Sequence, residues 1–73
     1  METNNDVCKR FGRTLRRLRK EKGFSQIALA EKIDMERTYL SLLENGKKEP
    51  CLRMIEMLAM GLGISLRQLF WNI

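Results

Sequence analysis

Residues 24–46 carry two short helical patterns separated by a tight turn, and this arrangement limits the possible folds more than any other feature of the chain. Apolar residues recur three or four positions apart on both sides of the turn, as they do along one face of a helix. Ser25 can cap the first helix, and Asp34 lies in the turn, where aspartate tolerates a left-handed backbone better than most residues. The pattern predicts helices over residues 26–33 and 37–45.

Helical spacing continues through the rest of the chain, and no segment alternates apolar and polar residues as a strand does. Glycine follows the first, third and fourth helical patterns, at Gly23, Gly46 and Gly63, where those helices should end, and Pro50 blocks continuation of the third. The five predicted helices span residues 6–22, 26–33, 37–45, 52–62 and 66–71. A chain of 73 residues with such short connections is expected to form one compact, all-α domain.

Each predicted helix has an apolar face that we expect to form the core. Asn4 or Asn5 can cap the start of the first helix. The residues expected to point inward are, in helix order, Cys8, Phe11, Leu15 and Leu18; Leu29, Ala30 and Ile33; Leu40 and Leu43; Leu52, Ile55, Leu58, Ala59 and Leu62; and Leu66, Leu69 and Phe70.

The chain is basic, with a net charge of +5. Such a balance favours an anionic partner, nucleic acid first and a membrane surface second. The membrane is the weaker partner, because the apolar stripe of the first helix is needed for the core. No apolar run approaches the ~18 residues of a membrane span, and the polar start METNNDV is unlike a signal peptide. We therefore expect a cytoplasmic, nucleoid-associated protein, in which Cys8 and Cys51 remain thiols.

The residues that most enzymes need for chemistry are missing from the sequence. It contains no histidine, no metal-ligand spacing, no glycine-rich phosphate loop and no nucleophile paired with a base. We expect neither an enzyme nor a protein that holds a metal, a cofactor or a small-molecule ligand.

Six segments of the chain resemble the Cro/C1-type (XRE) helix-turn-helix family. They are KGFSQ, ALAEKI, RTYLS, LLENGKKEP, MLAMGLGIS and QLF, which together cover most of residues 11–70. The RTYLS segment also looks like the restriction–modification controller proteins, a small dimeric branch of that family. The resemblance implies a lambda-repressor-like DNA-binding domain and a transcriptional regulator that binds a two-fold DNA operator as a homodimer. Such a regulator either blocks RNA polymerase or contacts it.

The resemblance places the second helix of the motif in the DNA major groove. Arg37 and Thr38, at its start, are then candidates for base contact, since arginine can donate two parallel hydrogen bonds to guanine. Ser41 and Leu42 are outer candidates. Leu42 can contact a thymine methyl group, or it can be partly buried under Tyr39 or the preceding helix.

Several polar residues around the motif are candidates for phosphate contact. Gln26 begins a helix, where free N–H groups favour an anion, and the family uses a glutamine here to hold the DNA backbone. Tyr39 can reach a phosphate through its hydroxyl or can serve only in packing. The remaining candidates are Asn45, Lys47 and Lys48, of which the two lysines can also be merely solvated.

Two further sets of residues have structural roles in this interpretation. The family pairs an arginine, here Arg19, with a glutamate, here Glu44, and so joins the first helix to the third. Apolar residues near the C-terminus are expected to form a dimer interface, namely Ile64, Leu66, Trp71 and Ile73. Met54, Met57 and Met60 are expected to fill the core instead.

One alternative keeps the fold and changes the function. An antitoxin or adaptor could use the helix-turn-helix mainly to bind another protein. The basic face formed by Gln26, Arg37, Thr38 and the following lysines favours DNA, because a protein adaptor does not need such a face.

Overall fold

The computed structural model describes residues 6–71 and 73, and all of the regular structure in them is helical. The five helices are α1 (Val7–Glu21), α2 (Gln26–Lys32), α3 (Arg37–Glu44), α4 (Leu52–Leu62) and α5 (Leu66–Phe70). The all-α prediction is confirmed, and the helix ends agree with the sequence pattern to within one residue. None of these helices combines the length and the apolar character needed to cross a bilayer.

Local chemistry explains where the helices begin and end. Asp6 caps α1 by accepting a hydrogen bond of 2.8 Å from the backbone N–H of Cys8. Asn4 and Asn5, which the sequence suggested for this role, lie outside the described residues. Ser25 caps α2 as expected. The turn between α2 and α3 passes through Asp34 with a φ of +55°, so the left-handed backbone predicted there is confirmed.

The core lies between the inward faces of all five helices. Its fully buried side chains are leucines from each helix, namely Leu15, Leu29, Leu40, Leu43, Leu58 and Leu69. Helix α1 approaches α3 closely at Gly12, where a Cβ would lie 2.5 Å from the carbonyl oxygens of Leu43 and Glu44. Only glycine permits this distance between the two backbones, so α3 is fixed against α1.

Lys32 connects α2 to α4, a contact that the sequence did not suggest. Its Nζ donates a hydrogen bond of 2.8 Å to the carbonyl oxygen of Gly61 and lies 4.9 Å from the centre of the Phe24 ring. The bond satisfies a carbonyl in the last turn of α4, where no helical N–H is available. The helix-turn-helix pair is therefore held on the α4 side as well as on the α1 side.

Three residues that were expected on the inward helix faces are exposed. Leu52 is 74% exposed, Phe70 43% and Leu66 37%. Leu52 and Leu66 begin their helices, and an apolar residue in a first turn is buried only if another element covers that turn. Here the two side chains line an open groove at the surface instead. The assignment of Leu52 and Leu66 to the core was wrong, although Leu66 had also been assigned to the dimer interface. It was wrong for Phe70 as well, whose ring lies 6.1 Å from that of Phe11 but is covered on one side only.

Candidate nucleic-acid interface

The start of α3 is exposed at the surface. Arg37 and Thr38 are both exposed there, directly after the turn. Glu36 occupies the N-cap position without a side-chain hydrogen bond to the helix. Because the helix begins without a side-chain cap, its position depends on contacts elsewhere, such as the close approach of its end to Gly12 of α1.

Farther along the same face, the side chains are less accessible. Ser41 and Leu42 are half-buried, and Tyr39 is half-buried with its side chain packed against the core. Packing therefore accounts for the Tyr39 ring, and partial burial describes Leu42. Base contact by Ser41 and Leu42, and phosphate contact by the Tyr39 hydroxyl, stay predictions.

The end of α3 leads into a basic loop. The side-chain amide of Asn45 donates to the carbonyl oxygen of Ser41 at 2.9 Å and lies 3.4 Å from the Ser41 hydroxyl. In this conformation the Asn45 amide is turned back onto its own helix. Lys47 and Lys48 follow it in the loop, and both are exposed.

Arg19 and Glu44 form the ion pair that the family resemblance implied. Nε of Arg19 lies 2.6 Å from Oε2 of Glu44, and Nη2 lies 3.1 Å from Oε1. The Arg19 side chain is only 7% exposed and that of Glu44 only 2%. Such a two-bond pair has one preferred geometry, so the end of α3 is held in a defined orientation on α1.

Two more contacts extend this ion pair to α2. Nη1 of Arg19 donates a hydrogen bond of 2.8 Å to the carbonyl oxygen of Phe24, just before α2 begins. Nε2 of Gln26 donates a hydrogen bond of 3.0 Å to Oε1 of Glu44. Gln26 is therefore not an unpartnered first residue of a helix. We call Arg19, Phe24, Gln26 and Glu44 the polar junction, which joins the adjoining parts of α1, α2 and α3.

The expected dimer residues divide into two groups. Ile64 and Ile73 are half-buried and pack against the core, whereas Leu66 is partly exposed and Trp71 is 76% exposed. Beside Leu66 lies the open groove of about 520 Å³, lined by Cys51, Leu52, Arg53, Glu56 and Leu66. Leu52 and Leu66 thus share one exposed apolar groove, to which Leu52 had not been assigned, and Phe70 and Trp71 are further exposed apolar residues of the C-terminal part.

The three methionines of α4 do not share one role. Met54 packs against the core, as core filling requires, whereas Met57 is half-buried and lines a surface cavity. Met60 is 70% exposed, and its assignment to the core was wrong. It lines a shallow surface cavity with Lys32 and Met57.

Comparison with known families identifies the fold. The family HTH_3, described as helix-turn-helix, matches residues 15–69. The chain belongs to this helix-turn-helix family. Its members are DNA-binding transcription regulators, not enzymes.

Individual relatives of this helix-turn-helix chain include restriction–modification controllers. Control protein C.MunI from Mycoplasma sp is 49% identical over 70 residues, which cover 94% of this chain and 95% of that protein. The crystal structure of the controller protein C.AhdI from Aeromonas hydrophila is similar with a TM-score of 0.83 at 40% identity, covering 86% of this chain and 96% of that one. The controller protein C.Esp1396I, as a tetramer in complex with its natural 35 base-pair operator, is similar with a TM-score of 0.85 at 27% identity, covering 92% and 88%.

Two features of the helix-turn-helix site were missed in the sequence, and only the first of them has a sequence signal. Gly12 interrupts a good helical pattern, and an interior helix glycine commonly marks a close backbone approach. The bond from Gln26 to Glu44 had no such signal, because the residues are 18 positions apart and meet only through the fold. In the described part of the chain, no cysteine and carboxylate side chains cluster as metal ligands would.

Proposed function

We propose that this chain is a sequence-specific transcription regulator that binds a two-fold DNA operator as a homodimer and controls restriction–modification genes. The observation that carries the proposal is the exposed pair Arg37 and Thr38 at the start of a helix that the buried ion pair of Arg19 and Glu44 holds in place. An α-helix fits the major groove, and the first residues of a reading helix approach the base edges. The sequence identity of 49% with C.MunI, over 94% of the chain, supports the controller role.

Base recognition in this proposal depends mainly on Arg37. An exposed arginine at the start of the reading helix can donate two parallel hydrogen bonds to O6 and N7 of guanine. Thr38 would contact the neighbouring base edge or a thymine methyl. Ser41 and Leu42 would contribute at the border of the contact, since each exposes only part of its side chain.

Phosphate contacts would come from both ends of the two-helix motif. Gln26 keeps one amide hydrogen for a phosphate when the other is bonded to Glu44, because the amide nitrogen has two. At the other end, Lys47 and Lys48 are exposed, and Asn45 would have to release Ser41 to take part. The Tyr39 hydroxyl is the remaining candidate. These contacts would set affinity and register rather than sequence preference.

A homodimer would use the exposed apolar surface near the C-terminus. Leu66 and Trp71 would contact the second copy directly, and Ile64 and Ile73 would support them from the edge of the core. Leu52 extends the same surface. The groove beside it carries Arg53 and Glu56, and a two-fold axis would place each charge near its opposite on the other copy.

The cellular setting follows from this role. We propose a cytoplasmic protein associated with the nucleoid, which acts on RNA polymerase either by excluding it from the promoter or by touching it there. The C.Esp1396I controller binds its operator as a tetramer, so two dimers of this chain on adjacent sites are part of the proposal.

The deciding experiment is a titration of the chain against its own promoter region and against random duplex of equal length, at several salt concentrations. We expect the chain to bind the promoter more tightly than the random duplex. We also expect the bound fraction to rise more steeply with protein concentration than for a monomer at a single site, as a dimer requires. Equal affinity for both duplexes at every salt concentration would contradict the proposal. An adaptor that works through a protein partner would give that result.

A further inference from the structure

Helix α1 presents a row of basic side chains on the face that the core does not use. Lys9, Arg13, Arg16 and Lys20 follow one another at intervals of four, three and four residues, so they lie on one side of the helix. Arg13, Arg16 and Lys20 are exposed and Lys9 is half-exposed. We call these four residues the α1 basic row. Its like charges repel, so the row weakens the helix unless an anion meets it.

The position of α1 brings this row to the edge of the proposed DNA face. A Cβ at Gly46 would lie 2.7 Å from Cγ of Lys9, so the row begins against the loop that carries Lys47 and Lys48. Near the other end of α1, Arg19 bonds the carbonyl oxygen of Phe24, directly before the α2 cap. The helix thus runs from one proposed phosphate-contacting end of the motif to the other.

Arg16 has a particular place in this arrangement. It is four residues after Gly12, which touches the end of α3, and three residues before Arg19, which bonds Glu44. Residues at these spacings are neighbours on a helix surface. Arg16 therefore stands beside the line along which α1 meets α3, and Arg13 and Lys20 lie next to it on the outer side.

We infer that the α1 basic row is a further phosphate-contacting surface, and that its partner is the DNA backbone flanking the half-site read by α3. The inference rests on the proposed function and extends its footprint. Its support is charge complementarity and continuity with the loop of Lys47 and Lys48. Each phosphate neutralised releases condensed counterions, so these contacts would raise affinity for any sequence and make binding more dependent on salt.

The test uses the full chain with two substitutions, Arg16→Gln and Lys20→Gln, made together. Affinity is measured on a duplex that ends at the half-sites and on one extended by about one helical turn, ~10 base pairs, at each end. Random duplexes of the same two lengths are measured in parallel. We expect the wild type to gain affinity from the extension and the variant to lose that gain. We also expect the slope of log K against log salt to fall by about two, with the operator-to-random ratio unchanged.

The matched control is Arg17→Gln, on the same helix, where Arg17 pairs with Glu21 at 3.0 Å. It should leave the gain from extension and the salt slope unchanged. The inference is overturned if the double variant still gains affinity from the extended duplex. It is also overturned if the double variant changes only the association rate, as the loss of long-range steering would. If the double variant lost binding to anionic lipid vesicles but still gained affinity from the extended duplex, the inference would be overturned in favour of a membrane partner.

The two proposals can fail separately. If the wild type shows no operator preference, the proposed function fails. The affinity gained from the longer random duplex, and the salt slope on random duplex, still test whether the α1 basic row contacts phosphates. If the operator preference stands and the double variant behaves like wild type, only the row is rejected. Circular dichroism and thermal unfolding of each variant check that the exposed substitutions leave the fold intact.

Discussion

The side-chain amide of Gln26 donates a hydrogen bond of 3.0 Å to Oε1 of Glu44, and this bond fixes which way the amide faces. A carboxylate cannot donate, so the amide nitrogen must be the atom that points to Glu44. One of its hydrogens is thereby used, and the other remains for a partner outside the protein. The buried ion pair thus orients a residue that we propose meets the DNA backbone.

The first prediction concerns this orientation. Gln26→Glu should weaken binding to every duplex more than Gln26→Ala does, because the new carboxylate would face both Glu44 and a phosphate. Fluorescence anisotropy on operator and random duplex measures the difference, and urea unfolding checks that both variants are folded. Wild-type affinity in Gln26→Glu would show that this side chain is not at the backbone.

The second prediction separates base contact from phosphate contact. Arg37→Ala should lose sequence preference at a guanine position, by roughly 1–3 kcal/mol of discrimination. Lys47→Ala should weaken all sequences alike and lower the salt slope by about one. Binding titrations on operators with single base changes distinguish the two. Undiminished preference in Arg37→Ala would contradict the assigned register of α3.

The third prediction concerns stability. Glu44→Ala should lower the free energy of unfolding by about 3–5 kcal/mol, because it leaves the Arg19 guanidinium buried without its counter-ion. The matched control is Glu21→Ala, which removes the exposed partner of Arg17 and should cost only about 0–1 kcal/mol. Urea denaturation measures both. Similar losses in the two variants would mean that burial does not distinguish these pairs.

The fourth prediction tests the contact between α1 and α3. Gly12→Ala should destabilise the protein by about 1–3 kcal/mol through overpacking, even though alanine is the better helix former. The added methyl group would lie 2.5 Å from two backbone carbonyl oxygens, which cannot move aside as a side chain could. Arg13→Ala, at the next position and exposed, is the control and should be close to neutral. Stabilisation by Gly12→Ala would contradict the packing described above.

The fifth prediction concerns the two thiols. Partial burial raises the pKa of Cys8, and the nearby carboxylates of Asp6 and Glu49 raise it further. A raised pKa leaves less reactive thiolate at a given pH, so Cys8 should react with a thiol reagent only at a pH above that usual for a free cysteine. The Cys51→Ser variant isolates this signal. Adding Glu49→Gln should shift the reactivity midpoint to lower pH, and no shift would exclude the charge effect.

Local sequence signals predicted the helices well, since their ends are set by nearby residues. Ser25 and Ser65 cap the helices that follow them, and the left-handed turn at Asp34 needed only a residue that tolerates it. The Arg19–Glu44 pair was available only through the family resemblance, because 25 positions separate the two residues.

Features that depend on what covers a residue were harder to predict. Leu52 continues the apolar stripe of α4 by spacing, yet among the described residues no element packs over that first turn, and the side chain lies at the surface. Met60, in the last turn of α4, was expected to fill a gap in the core but lies at a surface cavity. Spacing states which face of a helix is apolar, whereas burial depends on how far the neighbouring helices extend.

The polar junction has a consequence for the DNA itself. With α1, α2 and α3 bonded to one another before any duplex arrives, the distance from Gln26 to the basic loop is already set. In the proposed complex the protein would keep this distance, and the duplex would have to bend or narrow its groove to match it. Base pairs that no side chain touches would then influence affinity through their deformability. The protein would select operators by the stiffness of the duplex as well as by the bases that it contacts.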